Sequence, residues 1–144
     1  MVRAGLRGDD LLKKPELEKL QAFLRRSFGN DAIRVSADPK DPTRAAGVQL
    51  GERRIATLTL DDEDGDRSFA FEMKIPVQRP VLQDYMRRLF ENDELKIVAR
   101  TKKNDSVELN CGDDFLGVIS ADDSKQTSYT LQMAILDFDL EDEE

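Results

Sequence analysis

Two arginine pairs offer the clearest chemical option in this 144-residue sequence. Arg25-Arg26 and Arg87-Arg88 sit at matching points of two similar stretches. A guanidinium is a planar fork of donors that fits a carboxylate or a phosphate through paired bonds. These four residues are therefore candidate contacts to an acidic partner or an anion. Their plainer role is favourable positive charge in the last turn of a helix, worth ~0.3–1 kcal/mol each.

The acidic run at 61–66 invites a cation. An EF-hand pattern fails there: aligning Gly65 with the loop glycine puts Leu60 at the first aspartate and Phe71 at the bidentate glutamate. The matching turn at 122–126 has lost most of the charge, so a solvated β-turn is expected rather than a metal site, with a weak cation site as the alternative. The chain has no His and one cysteine, Cys111. That excludes an internal disulfide, a Cys/His metal site and a Cys-His nucleophile pair. Cys111 reads as a small strand-end residue. No glycine-rich phosphate loop and no paired-carboxylate motif is present, so catalysis is disfavoured and no cofactor is expected.

Charge argues in the same direction. Up to Arg79 there are 15 basic and 14 acidic residues; from Pro80 onward there are 7 and 16, giving a net charge of −8. Such a chain has no long-range attraction to nucleic acid or to anionic membranes. No stretch approaches the ~20 apolar residues that cross a bilayer, and the first ten residues lack the apolar core of a secretory signal. The expected compartment is the cytoplasm.

The elements that must hold the arginines come in duplicate. Residues 20–31 and 82–93 agree at seven of twelve positions: Leu20/Leu82, Gln21/Gln83, Arg25/Arg87, Arg26/Arg88, Phe28/Phe90, Asn30/Asn92 and Asp31/Asp93. Phe23/Tyr85 and Leu24/Met86 are near matches. That is an internal duplication. In the first copy, Pro15 opens a helix at 15–28, Leu17, Leu20, Leu24 and Phe28 form its apolar stripe, and Gly29-Asn30 ends it. Short strands follow: around Ile33, Val35 and Ala37; at Val48 and Leu50; over 54–60; and at Phe69, Phe71, Met73 and Ile75. The second copy repeats the order. Its helix lies at 80–90, and its strands run through Leu95 and Ile97, Val107 and Leu109, Leu116 to Ile119, and Tyr129, Leu131, Met133 and Ile135.

The expected fold is α+β: two α-β-β-β-β repeats with antiparallel sheets, each helix packed on one sheet face, related by a pseudo-twofold axis. The division is a flexible lead-in at 1–14, repeat units at 15–78 and 79–136, and a solvated acidic tail at 137–144. A unit of about 60 residues is marginal alone, and only Gln78-Arg79 separates the fourth strand from the second helix. The units should therefore form one compact body, a monomer with internal pseudo-symmetry or a weak homodimer.

The pieces at 24–30, 61–69, 99–108 and 132–136 resemble a small alphaproteobacterial family of domains of unknown function, family 3126. The resemblance covers about 15–142 in two copies. It implies a lineage and a tandem arrangement, and it implies no activity. The functional expectation is a non-catalytic protein-interaction or adaptor protein that meets an unknown protein partner, in part through exposed sheet edges. Two alternatives are a small-ligand or anion-binding regulator using the arginine pairs, and a secretion-chaperone-like binding protein. An enzyme with a carboxylate site ranks behind them.

Overall fold

The computed structural model describes residues 11–61, 67–100 and 103–142. The first helix, α1, spans Lys14–Phe28 with Pro15 in its first turn. The Lys13 N–H donates to Glu16 Oε1 at 3.0 Å, satisfying one orphan donor of that turn. Leu20, Leu24 and Phe28 are buried, as their spacing predicts. The chain then passes through β1 (Ile33–Ala37), β2 (Ala45–Leu50), β3 (Arg53–Asp61) and β4 (Ser68–Ile75). A 3-10 turn at Arg79–Val81 leads into α2 (Leu82–Phe90), followed by β5 (Leu95–Arg100), β6 (Lys103–Cys111), β7 (Asp114–Ala121) and β8 (Tyr129–Leu136).

The second helix starts later than the expected 80–90. Its first turn is 3-10, with the Val81 N–H bonded to the Gln78 carbonyl at 3.1 Å. The tighter coil suits a chain that must turn from strand to helix within a few residues.

One expectation needs correcting. The two units do not build separate sheets. All eight strands form a single antiparallel sheet in the order β1-β2-β3-β4-β8-β7-β6-β5. The reason lies in β4 and β8, which alternate buried and exposed positions most cleanly in their units. Each would otherwise leave a long apolar edge strand unpaired. Pairing them removes both edges: Phe69 lies opposite Ile135, Phe71 opposite Met133, Met73 opposite Leu131 and Ile75 opposite Tyr129. Equivalent irregularities recur in the two halves, a bulge at Val48/Gln49 and another at Leu109/Asn110.

The inward strand positions and both helical stripes form one buried cluster. At its centre the rings of Phe28 and Phe90 stack, centroids 4.2 Å apart at 11°, with Phe71 at 5.9 Å from Phe28. Phe28 and Phe90 sit in matching environments, one at the end of each helix.

The termini also depart from expectation. Residues 1–10 of the expected lead-in lie outside the described residues, as do 62–66 of the acidic hairpin and 143–144 of the tail. Residues 11–14 are attached: the Leu12 N–H donates to the Thr43 carbonyl at 2.8 Å, and Arg67 bonds the Leu11 carbonyl at 2.7 Å. The expected solvated tail is instead a 3-10 helix at Asp137–Asp142. Leu140 is only 1% exposed, and Asp139 Oδ2 accepts the Leu136 N–H at 2.9 Å. Among the described residues no helix is long and apolar enough to cross a membrane.

Candidate functional site: two grooves and the locks beside them

The residues that the two repeats share are occupied with structure. Gln21 on α1 accepts the Val35 N–H of β1 at 3.0 Å, and Gln83 on α2 accepts the Ile97 N–H of β5 at 3.1 Å. One turn along each helix, Arg25 Nε donates to the Ile33 carbonyl at 2.8 Å and Arg87 Nε to the Leu95 carbonyl at 2.7 Å. β1 and β5 are the outermost strands of the sheet. Each helix thus satisfies two edge groups that would otherwise invite an added strand. At these positions the backbone groups that an added strand would use are already engaged.

The last shared pair ties the halves together. Asn30 Nδ2 donates to the Phe90 carbonyl at 2.7 Å, and Asn92 Nδ2 donates to the Phe28 carbonyl at 2.8 Å. Each asparagine also accepts a backbone N–H two residues on, from Ala32 and from Glu94. Both side chains thereby bridge their own turn to the carboxyl end of the other helix, where carbonyls lack intrahelical donors.

The four arginines do not converge. Arg25 and Arg87 anchor sheet edges. Arg26 lies over the Phe23 ring, its guanidinium carbon 5.7 Å from the centroid. Arg88 pairs with Asp84 at 3.1 Å in an exposed i,i+4 bridge. Arg26 and Arg88 line separate depressions.

Two grooves, the first of them the one Arg26 lines, occupy equivalent positions in the halves. The ladder between β7 and β8 runs only from Val118 to Ala121, paired with Gln132 to Tyr129. Beyond it the strands part, and α1 closes the floor of the opening. The resulting groove has a volume of about 780 Å³. Phe23, Leu116, Val118 and Met133 give it an apolar lining, while Arg26, Asp114 and Asp139 carry its charge. Phe115 stands at the groove with 58% of its surface exposed. Cys111 also lines it, half-buried, with Asn92 Nδ2 3.5 Å from its sulfur.

The counterpart lies between β3, β4 and α2. The β3–β4 ladder stops correspondingly at Thr57 and Glu72. This groove is smaller, about 370 Å³. Leu89 fills the place of Ser27, and Lys74 the place of Ala134. Arg53 and Arg54 stand where the larger groove has Asp114 and Phe115.

Among the described residues three carboxylates have displaced acidities, and none lines either groove. Burial raises Glu16, but hydrogen bonds from Arg67 and the Lys13 backbone outweigh it and hold the pKa below the ordinary value. The Lys40 N–H, then the Arg54 guanidinium, lower Asp38. The Thr130 hydroxyl lowers Asp122 against the opposing effect of burial, with help from Ser128 and Lys74. Each belongs to a turn or ion-pair network of the scaffold. Among the described residues no three His, Cys, Asp or Glu side chains are grouped to hold a metal ion.

Sequence reasoning passed over Gln21, Gln83, Asn30 and Asn92 as functional elements of the architecture, although their identity between repeats was the available signal. Nothing in the local pattern singled out Phe115 beyond its place as an apolar residue after Asp113-Asp114.

An eight-stranded antiparallel α+β sheet built from two successive units, each led by a helix, defines the class. The chain belongs to the family described as Protein of unknown function (DUF3126), whose model matches it twice, over residues 16–77 and 80–139. The chain is a tandem duplication of that domain. No curated protein and no solved structure matches it.

Proposed function

We propose that this chain is a non-catalytic protein-interaction body that works as an internal pseudo-dimer. A pseudo-twofold axis through the centre of the β4–β8 ladder accounts for three independent features: the register, in which Glu72 faces Gln132 with matching neighbours on either side, the reciprocal asparagine bonds and the Phe28–Phe90 stack. On this reading the residues common to both repeats hold the body together, and the residues that differ carry its specificity.

One observation carries the functional reading. The larger groove is open, apolar along its lining and flanked by an exposed phenylalanine. Exposed apolar surface of that kind is costly in water and is characteristic of a surface that another molecule covers. The perturbed carboxylates lie elsewhere, which favours binding over acid-base chemistry. The small-ligand or anion reading draws less support, because Arg25 and Arg87 are engaged with strand carbonyls and Arg26 and Arg88 line different depressions. A secretion-chaperone-like role is one form that protein binding could take, and a cytoplasmic location belongs to the same proposal.

Affinity capture of the full chain from native lysate at low salt tests this. A protein partner recovered in near-equal amount is the expected result. Repeated recovery of none, together with a rise in Tm on adding nucleotides or inorganic phosphate, would transfer the case to the small-ligand reading.

A further inference from the structure

The duplication supplies its own comparison. Two grooves descend from one design, so each difference between them is a change made to one copy. At three equivalent positions the smaller groove carries Arg53, Arg54 and Lys74, and the larger carries Asp114, Phe115 and Ala134. Three cationic side chains have been replaced, or never acquired, where the groove is open. Ser27 opposite Leu89 adds room. The chain's excess negative charge also lies in this half of the sequence.

We propose that the groove between α1 and the parted ends of β7 and β8 is the docking site for a polypeptide segment that carries a bulky apolar residue flanked by lysine or arginine. The proposal rests on the protein-binding reading and narrows it to one surface and one partner chemistry. The apolar residue packs against Phe115 and Val118, in the manner of an interface anchor. The flanking cations meet Asp114 and Asp139, whose field steers encounter and selects the sign of the partner. Among the described residues Arg26, spread over Phe23, is the one cation lining the groove; it disfavours a partner that is basic throughout and favours one whose charges flank an apolar centre. A trough open along its side, with two diverging strands as walls, suits an extended chain better than an enclosed small molecule.

The same geometry gives the equivalent groove a different fate. Arg53, Arg54 and Lys74 outnumber Glu72 in its lining, so it stays net cationic and repels that segment, and the pseudo-dimer has one such site and not two.

A nine-residue peptide of alternating leucine and lysine, titrated into isotope-labelled full-length protein, is the test. Chemical-shift changes should cluster on α1, β7 and β8 around Phe23, Phe115 and Val118. Phe115→Ala should weaken binding about tenfold. Asp114→Asn should weaken it by a smaller factor that shrinks at high salt. Arg53→Ala in the opposite groove should leave it unchanged. Phe115 and Asp114 are both exposed, so their variants retain the fold.

Three results would overturn the assignment while leaving protein binding intact: equal affinity for a serine-lysine peptide, shifts on another surface, or indifference to Phe115→Ala. Shifts that grow with protein concentration before any peptide is added would give the groove to a second copy of the chain and also overturn it. Absence of peptide binding together with native capture of no partner would remove both readings.

Discussion

Asn30 and Asn92 exchange roles across the centre of the molecule: each donates its side-chain amide to the carbonyl that ends the other unit's helix, at 2.7 and 2.8 Å. Each also holds its own turn by accepting a backbone N–H. Removing either side chain leaves a part-buried carbonyl without that donor and loosens a turn at once. Asn30→Ala and Asn92→Ala should each cost about 1–3 kcal/mol in urea unfolding. The two bonds serve the same junction between the stacked Phe28 and Phe90 rings. The double variant should therefore be less destabilised than the sum of the singles. Strict additivity in the cycle would mean that the bonds act as separate local caps.

The glutamines on the two helices guard the sheet edges. Gln21→Ala and Gln83→Ala free the Val35 and Ile97 N–H groups, each now accepted at about the usual bond length. The loss of stability is about 1 kcal/mol per site. The larger consequence is association, because a freed edge can pair with another copy. Sedimentation velocity should show concentration-dependent dimers for the Gln21→Ala, Gln83→Ala double variant and monomers for the parent. A double variant that stays monomeric at high concentration would show that other features of β1 and β5 protect the edge.

These side chains also show what the sequence revealed and what it hid. The repeat, the helix stripes and the alternation on Phe69, Phe71, Met73 and Ile75 were legible because burial imposes a period on each element. The joining of β4 to β8 was not, because strand pairing between units leaves no local pattern. The shared arginines invited a ligand because identity and charge suggest recognition. Their actual partners, the Ile33 and Leu95 carbonyls, lie eight residues on in the chain and carry no side-chain signature. The tail was misread for a related reason: an acidic segment with two apolar residues, Phe138 and Leu140, looks solvated until a core position is found for one of them. Phe115 became conspicuous only when the fold showed that its face of the sheet is open.

The helix ends differ in a way that chain chemistry makes testable. α1 ends at Gly29 with φ of 65°, while α2 ends at Glu91 with φ of 54°. A residue with a Cβ bears a cost of ~1 kcal/mol in that left-handed conformation, and glycine does not. Glu91→Gly should therefore raise stability by about 0.5–1 kcal/mol in thermal or chemical unfolding. The reverse change at the first helix, Gly29→Ala, should destabilise by more. Its new Cβ would lie 2.7 Å from Asn92 Nδ2 and press on the reciprocal tie. If Glu91→Gly lowers stability, the glutamate side chain makes a contribution larger than its backbone strain.

Acid should weaken the fold through three specific carboxylates. Glu16, Asp38 and Asp122 have pKa values below the ordinary 4.5, 3.8 and 3.8. A depressed folded-state pKa means that the unfolded chain binds protons first as pH falls. The stabilisation from these groups is thus complete above the ordinary values and is lost as pH drops through the folded-state ones. Stability should be flat with respect to these groups near neutrality and fall from about pH 5 downward. Replacing the three by Glu16→Gln, Asp38→Asn and Asp122→Asn lowers stability at neutral pH and flattens the acid limb, because no proton is left to be taken up at those sites. The contributions differ in salt dependence. Glu16 faces Arg67 in a half-buried pair with side chains 17% and 16% exposed, whereas the Arg54 partner of Asp38 is 41% exposed. Added salt should reduce the Asp38 contribution more than that of Glu16. Urea unfolding from pH 7 to pH 3, at low and high salt, separates the two. An acid limb of equal slope in parent and triple variant would assign the transition to other carboxylates.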